Sequence, residues 1–369
     1  MIYFDNAATS FPKPRSVTSE VIRCLKQYCG NPGRSSHSLA IAAAEKIYET
    51  RERLADFIGL EKPENIIFTP NATYALNLAI KGTVTEACHC IISDIEHNSV
   101  IRPLYKCTQK YGCEISEFNS DLPLNKAIIP LIRQDTRVIA TSIASNVTGK
   151  ILDIEALSHI AEEYGLKLIV DASQYLGHLP INLKSINYHA LCSAGHKALF
   201  GIQGSGFTAF KTAENIDTLV EGGSGIDTFS PNMPIVLPER YEAGTLFTPA
   251  IASLWAGIGY ITDVGIDNIS SRIELLTQRV KDILLSFDNI TIYGAENGII
   301  SFNVGNYPSS YISELLNDNN IATRSGFHCA PLIHRKLGTE KRGAVRISLS
   351  YLNTQKECDL LYKALKLIR

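Results

Sequence analysis

Four residues of this 369-residue chain stand where their side-chain types do chemistry: a lysine, an aspartate, a histidine and a cysteine. Lys197 lies within "HALCSAGHKALFGIQGSGFTAF" (189–210), between two apolar runs and beside Gly201, Gly204 and Gly206. An ammonium placed among buried segments is costly unless it is paired or neutralised. A side chain snorkelling to water is the plain alternative. Asp171 ends the apolar run "LKLIVD". A carboxylate there can cap a helix, pair with a cation or hold a cationic ring nitrogen. His97 follows "CIISD" after a two-residue link and reads equally as a cap or surface histidine. Asn71, Ala72 and Thr73 open a helical stretch directly after "IIFTP". The N–H groups of a helix start form an anion site, although an Asn/Thr cap alone would use the same residues. Cys329 lies in the polar, basic segment "TRSGFHCAPLIHRK", where Arg324, His328 and His334 are each expected to favour the thiolate.

The elements that must position these residues follow a regular order. "NIIFT" (65–69), "HCIIS" (89–93), "RVIATS" (137–142) and "LKLIVD" (166–171) are short runs, apolar with little alternation. Such runs fit strands buried on both faces. Helical patterns separate them: "ATYALNLAIKG" is read as closed by Gly82, a second starts near His97, and "DIEALSHIAEEYG" starts at an Asp153 cap and ends at Gly165. Strand and helix in alternation argue for a mainly parallel sheet wrapped by helices. From about residue 248 two long helical patterns run to about 287, followed by "NITIYG", "GIISFNVG", "GAVRISLS" and a last helix near 354–368, which reads as a smaller α+β unit. The Gly- and Pro-rich stretch 221–245 reads as a long functional loop. The expected division is an N-terminal segment 1–15 packing with the small domain, a large domain 16–247, and a small domain 248–369 that carries Cys329.

Composition sets the frame. Charged residues make up 20% and the net charge is −2, so nothing marks a nucleic-acid footprint and a small-molecule partner is expected. No signal peptide and no bilayer-length apolar run are seen, so a cytoplasmic protein without a membrane partner is expected. The nine cysteines are expected to be mostly reduced and buried. Cys88, His89 and Cys90 alternate across a strand and lack a completing cluster, so a structural role is expected and no metal.

In open α/β sheets ligands bind at the carboxyl ends of the strands. An anion-binding helix start, a ring-stacking histidine, a strand-end acid and a lysine amid small residues then form one pattern. It is that of pyridoxal 5′-phosphate (PLP) enzymes, where a lysine binds the cofactor as a Schiff base and an acid pairs with the pyridinium nitrogen.

"YFDNAATSFPKP", "NPGRSSHSLA", "FTPNATYALNLAIKG", "EHNSVIRPL", "ASNVTGKILDI", "VDASQYLGHLPINL", "AGHKALFGIQGSG", "RYEAGTLFTPA", "RSGFHCAP" and "VRISLSYLNT" occur in this order over nearly the whole chain. In these motifs the sequence resembles the class V aminotransferases, fold-type I PLP enzymes, and among them the cysteine desulfurase and selenocysteine lyase subgroup. The resemblance implies that Lys197 carries PLP, with His196 near the phosphate, and that Asp171 meets the ring nitrogen. Gln174 would bond the phenolic oxygen and His97 would stack on the ring. Ala72 and Thr73 would donate to the phosphate, which Thr245 would reach in the other subunit of a homodimer. Asn146 would face the substrate, beside Asn6 and Ala7. Arg346 would clamp the substrate carboxylate, with Arg324 nearby, and Cys329 would be the nucleophile. The implied reaction removes sulfur from L-cysteine to leave L-alanine and a Cys329 persulfide. The sulfur would pass to an acceptor protein, as iron–sulfur cluster assembly requires.

Selenocysteine as substrate stays open, as does an aminotransferase or C–S lyase that does not need Cys329. A non-catalytic PLP-binding protein is the reading from another class. Three features depart from the better-known pattern: Ala194 stands three before the lysine, where Ser or Thr is common, Phe327 stands where a second histidine is common, and "YFDNAAT" begins already at residue 3. Either Ser193 substitutes for the missing hydroxyl or one phosphate bond is absent.

Overall fold

The structure is a computed structural model that describes residues 1–33, 36–212 and 216–367. Its centre is a seven-stranded sheet in the order Ile66–Thr69, Gly206–Phe210, Ala190–Ala194, Lys167–Asp171, Thr136–Ser142, His89–Ser93, Glu114–Phe118. Gly206–Phe210 runs antiparallel to both its neighbours, and the other pairings are parallel. The run "GSGFTAF" carries no signal of that direction, which the tight turn after Lys197 imposes. The sheet is covered on both faces. Ile91, Ile139, Leu168, Val170, Leu191 and Phe207 pack into one core. Their neighbours in sequence, among them Cys90, Ile92, Val138, Ala140, Ile169 and Cys192, pack into a second. This is why the strands read as continuous apolar runs rather than alternating ones.

A four-stranded antiparallel sheet, in the order Arg324–Gly326, Ala344–Ser348, Ile299–Val304, Ile290–Glu296, forms the second layer of structure. The N-terminal strand Ile2–Tyr3 pairs with Ile321–Ala322. Phe4 is buried in the core of this smaller unit. Among the described residues no helix is long and apolar enough to cross a membrane.

Helix Ala72–Thr83 does not close at Gly82 as the sequence suggests; it runs through Gly82 to Thr83. Gly82 answers to packing instead, because a Cβ there would lie 2.6 Å from the Asp217 carbonyl oxygen. Helix Thr248–Val264 packs on helices Arg15–Gln27 and Ser38–Ile58. It also presses on the turn after Lys197, where a Cβ at Gly257 would lie 2.1 Å from the Leu199 carbonyl oxygen. Gly257→Ala is therefore expected to destabilise the protein by about 1–3 kcal/mol through overpacking. It is also expected to shift the Lys197 turn. Chemical denaturation with and without added PLP checks this; an unchanged midpoint in both would show that the helix can move away freely.

Candidate functional site

Four strands of the large sheet deliver the site at their carboxyl ends. His97 follows His89–Ser93, Asn146 follows Thr136–Ser142, Asp171 ends Lys167–Asp171, and Lys197 follows Ala190–Ala194. They meet in a cavity of ≈ 210 Å³ lined also by Ala72, Thr73, Gln174, Arg324 and Arg346. Lys197 sits on a turn closed by the Phe200 N–H bonding to its own carbonyl at 2.9 Å. Burial, with Arg346 and Arg324 adding to it, lowers its ammonium to about 8, against the opposing pull of Asp171.

Asp171 is buried, and its Oδ1 accepts from the Ser173 N–H at 2.9 Å. His97 caps helix Asn98–Tyr111: its Nδ1 accepts from the Ser99 N–H at 3.1 Å and lies 2.9 Å from Ser99 Oγ. Ser99 Oγ is in turn 2.8 Å from Thr73 Oγ1, which links the two helix starts. Burial, with Lys197 nearby, lowers His97 to about 4, so the imidazole is neutral at physiological pH. Asn71 caps helix Ala72–Thr83 by accepting from the Tyr74 N–H at 3.0 Å. The N–H groups of Ala72 and Thr73, at the first two helical positions, have no intrahelical partner, and both residues line the cavity.

Arg346 is 1% exposed and sits opposite Arg324 across two antiparallel strands. Its Nη2 donates to Asp5 Oδ1 at 2.8 Å and its Nη1 to the Asn146 carbonyl at 3.0 Å. A buried guanidinium needs such a counter-charge. Asp5 lies inside the opening motif "YFDNAATSFPKP", yet nothing at a separation of 341 residues marks it as the partner of Arg346. In the sequence, only its place two residues past a capping histidine signals Ser99. Gln174 Nε2 donates to the Ala7 carbonyl at 3.0 Å, and Ala7 lines the cavity.

Not every expected residue arrives. Asn6 is buried beside the cavity, where its amide donates to the Ser348 carbonyl at 3.0 Å and to Asn353 Oδ1 at 3.2 Å. The pleat turns Ala194 toward the cavity, while Ser193 lies outside its lining with an unpaired hydroxyl. Thr245, expected at the phosphate of the other subunit and not of its own, lines a separate, larger cavity with Gly33, Tyr48 and Arg51. Cys329 does not line the central cavity; it is exposed beside His328, which does. Both residues have positive φ, 50° and 57°. The His328 carbonyl accepts from Asn146 Nδ2 at 2.7 Å, and the Cys329 carbonyl accepts from the Asn98 N–H at 2.7 Å.

The expectation that His328 and His334 charge the cysteine's surroundings is corrected. The two rings stack, with His328 Nδ1 3.3 Å from His334 Nε2 and His334 Nδ1 2.7 Å from Thr339 Oγ1. Burial holds His328 down to about 2 and also lowers His334, so neither carries charge at neutral pH. Among the nearby groups, Arg324 remains as a cation. His89, between Cys88 and Cys90, is bonded at both ring nitrogens, to Thr136 Oγ1 at 2.8 Å and Ser116 Oγ at 2.9 Å. Among the described residues no group of three His, Cys, Asp or Glu side chains is placed to hold a metal.

The cavity is therefore cationic, with Lys197, Arg324 and Arg346 set against Asp171. The model of the class-V aminotransferase family matches residues 2–361, and the chain belongs to that family. A probable cysteine desulfurase of Borreliella burgdorferi is 32% identical, covering 99% of this chain and 91% of its own. One of Methanothermobacter thermautotrophicus is 30% identical, covering 99% and 94%. The apo structure of a cysteine desulfurase from Thermococcus onnurineus superposes with a TM-score of 0.92 at 29% identity, covering 100% of this chain and 94% of that one.

This family is PLP-dependent, and the site fits the cofactor. Free N–H groups of Ala72 and Thr73 suit a phosphate, and a buried Asp171 suits a ring nitrogen. The Nδ1 of His196, the Oδ1 of Asn146 and the Nε of Arg346 are buried with no partner of their own, as befits groups awaiting a polar ligand.

Proposed function

We propose that this chain is a PLP-dependent cysteine desulfurase, which removes sulfur from L-cysteine to give L-alanine and a persulfide on Cys329. The observation that carries this reading is Cys329 itself: an exposed thiol on a left-handed turn bonded to Asn98 and Asn146, at the rim of a cavity holding Lys197 and Arg346. An aminotransferase has no use for that thiol. The names of the relatives point the same way.

Ala72, Thr73 and His196 would hold the cofactor phosphate, with Thr245 of the partner subunit completing it in a homodimer. Asp171, Gln174 and His97 would hold the ring at its nitrogen, oxygen and face. Because the pleat turns Ser193 away, the phosphate would rest on the helix start rather than on that hydroxyl. Bound at Lys197, PLP supplies an electron sink that acidifies the substrate Cα–H. Arg346 binds the substrate carboxylate through its planar fork, assisted by Arg324. Asp5 and the Asn146 carbonyl keep that fork oriented. The freed Lys197 amine takes the Cα proton as general base. The Cys329 thiolate attacks the substrate sulfur, the C–S bond breaks with its electron pair going to the carbon side, and that side takes up a proton at Cβ, regains one at Cα from the Lys197 ammonium and leaves as alanine. Its exposure gives an acceptor thiol access to the persulfide.

We assign residues 1–15 to brace the smaller unit and 16–247 to the large one; helix Thr248–Val264, by its packing, goes with the large unit rather than the small. A cytoplasmic location and a role in sulfur supply belong to the same proposal.

Assaying purified, PLP-loaded protein with L-cysteine and with L-selenocysteine, in the presence of a thiol reductant, tests the reading: alanine should form from cysteine, with sulfide released from the Cys329 persulfide by the reductant. Alanine from selenocysteine alone would replace it with a selenocysteine lyase. The pH profile adds a check on the base. Lys197 must be unprotonated to accept a proton, so turnover is expected to rise with pH and level off above about 8. Turnover that falls across that range would remove Lys197 from this role.

A further inference from the structure

Lys336 lies seven residues beyond Cys329, outside the cavity, and no role in sulfur chemistry falls to it directly. It ends the six-residue helix Pro331–Lys336. So short a helix does not hold itself. Its inner face is buried through Leu332 and Ile333, and its end is held by charge. Lys336 Nζ lies 2.7 Å from Asp94 Oδ2 and 2.7 Å from Asp121 Oδ2, and donates to Asn119 Oδ1 at 2.9 Å. Asp121 is shared with Lys150 at 2.5 Å, and Asp94 also accepts from the Ser120 N–H at 3.2 Å. Burial opposes the charge on Lys336, but its bonds to Asp121 and Asp94 together outweigh burial and raise it above the ordinary lysine value.

Asp94 stands three residues before His97, on the loop that leads into helix Asn98–Tyr111. The first residue of that helix, Asn98, bonds the Cys329 carbonyl through its N–H at 2.7 Å. The segment 329–336 is thus clipped at both ends to residues 94–98, once by a backbone bond and once by an ion pair. A non-glycine pair in the left-handed region persists only where its surroundings over-determine it. The two clips and the Asn146 bond to the His328 carbonyl supply that constraint.

We propose that Lys336 is a positioning residue: with Asp94 it fixes the Cys329 turn against the loop that carries His97. This deepens the reading of Cys329 as the sulfur-accepting nucleophile and rests on it. Misplacing a reacting group by an ångström costs up to about 100-fold in rate, and a side chain that sets this register shows up in turnover rather than in substrate affinity.

The test uses PLP-loaded protein and the variants Lys336→Met, Asp94→Asn and Lys336→Arg. Two quantities are read: kcat and KM for alanine formation from cysteine, and the rate at which iodoacetamide alkylates Cys329, followed on its peptide by mass spectrometry. Lys336→Met and Asp94→Asn are expected to lower kcat about 10- to 100-fold with KM unchanged. The Cys329 alkylation rate should shift in both. Lys336→Arg should recover wild-type values in both readouts. Should Lys336→Met fail to fold, Asp94→Asn, which keeps the shape and removes the charge, carries the test. Wild-type kcat and alkylation in Asp94→Asn would overturn the proposal, and so would a loss of bound PLP with KM raised in step. The alkylation readout reports the placement of the turn whether or not Cys329 accepts sulfur. A shifted alkylation rate in an enzyme whose Cys329→Ala form keeps full activity would therefore sink the desulfurase reading and not the clip.

Discussion

Replacing Lys197 by alanine is expected to abolish turnover. In the proposed mechanism its amine is the covalent hold on PLP and then the base at Cα, and the base role alone is worth on the order of 10²–10⁴-fold. Loss of the covalent hold adds to that. The variant should also lose the yellow colour of bound cofactor on dialysis, because the remaining contacts, at Ala72, Thr73 and Asp171, are non-covalent. The fold should survive, since burial already disfavours the Lys197 ammonium more than Asp171 favours it, and among the described residues Lys197 forms no ion pair. Alanine formation at the wild-type rate by Lys197→Ala, with colour retained, would place the cofactor elsewhere.

Cys329→Ala is expected to separate binding from sulfur transfer. Cys329 is exposed and outside the cavity lining, so its removal leaves Lys197, Asp171 and Arg346 in place. Cysteine should bind with its wild-type affinity and still perturb the visible spectrum of the cofactor. Sulfur transfer should fall by orders of magnitude, because the whole route through an activated nucleophile is gone. The loss should appear in kcat, as the proposed mechanism assigns substrate affinity to Arg346 and the covalent hold at Lys197.

How far the sequence foretold these residues depended on the range of the interaction. Asp171 and Lys197 were legible because each ends or follows an apolar run, and strand ends are where a parallel sheet puts chemistry. Ala72 and Thr73 were legible because an Asn cap marks a helix start locally. What escaped was set by geometry between distant segments. The direction of Gly206–Phe210 is imposed by the turn after Lys197, and Gly82 answers to Asp217, not to a helix end. Asp5 meets Arg346 only once the N-terminal segment crosses both units. Strand alternation at 190–194 would have turned Ser193 away from Ala194's side, a signal present in the pleat and not in the residue types. His328 and His334 looked like cations because their neighbours in sequence are basic; burial and a hydrogen-bond chain to Thr339 keep them neutral.

The central claim is that sulfur passes onto Cys329. PLP-loaded protein is incubated with L-cysteine without reductant, digested under non-reducing conditions, and its peptides are weighed by mass spectrometry. The account predicts one added sulfur atom on the peptide containing Cys329, removable by a thiol reductant, with an equal amount of alanine formed. An unmodified Cys329 peptide alongside alanine released at the full rate would contradict it.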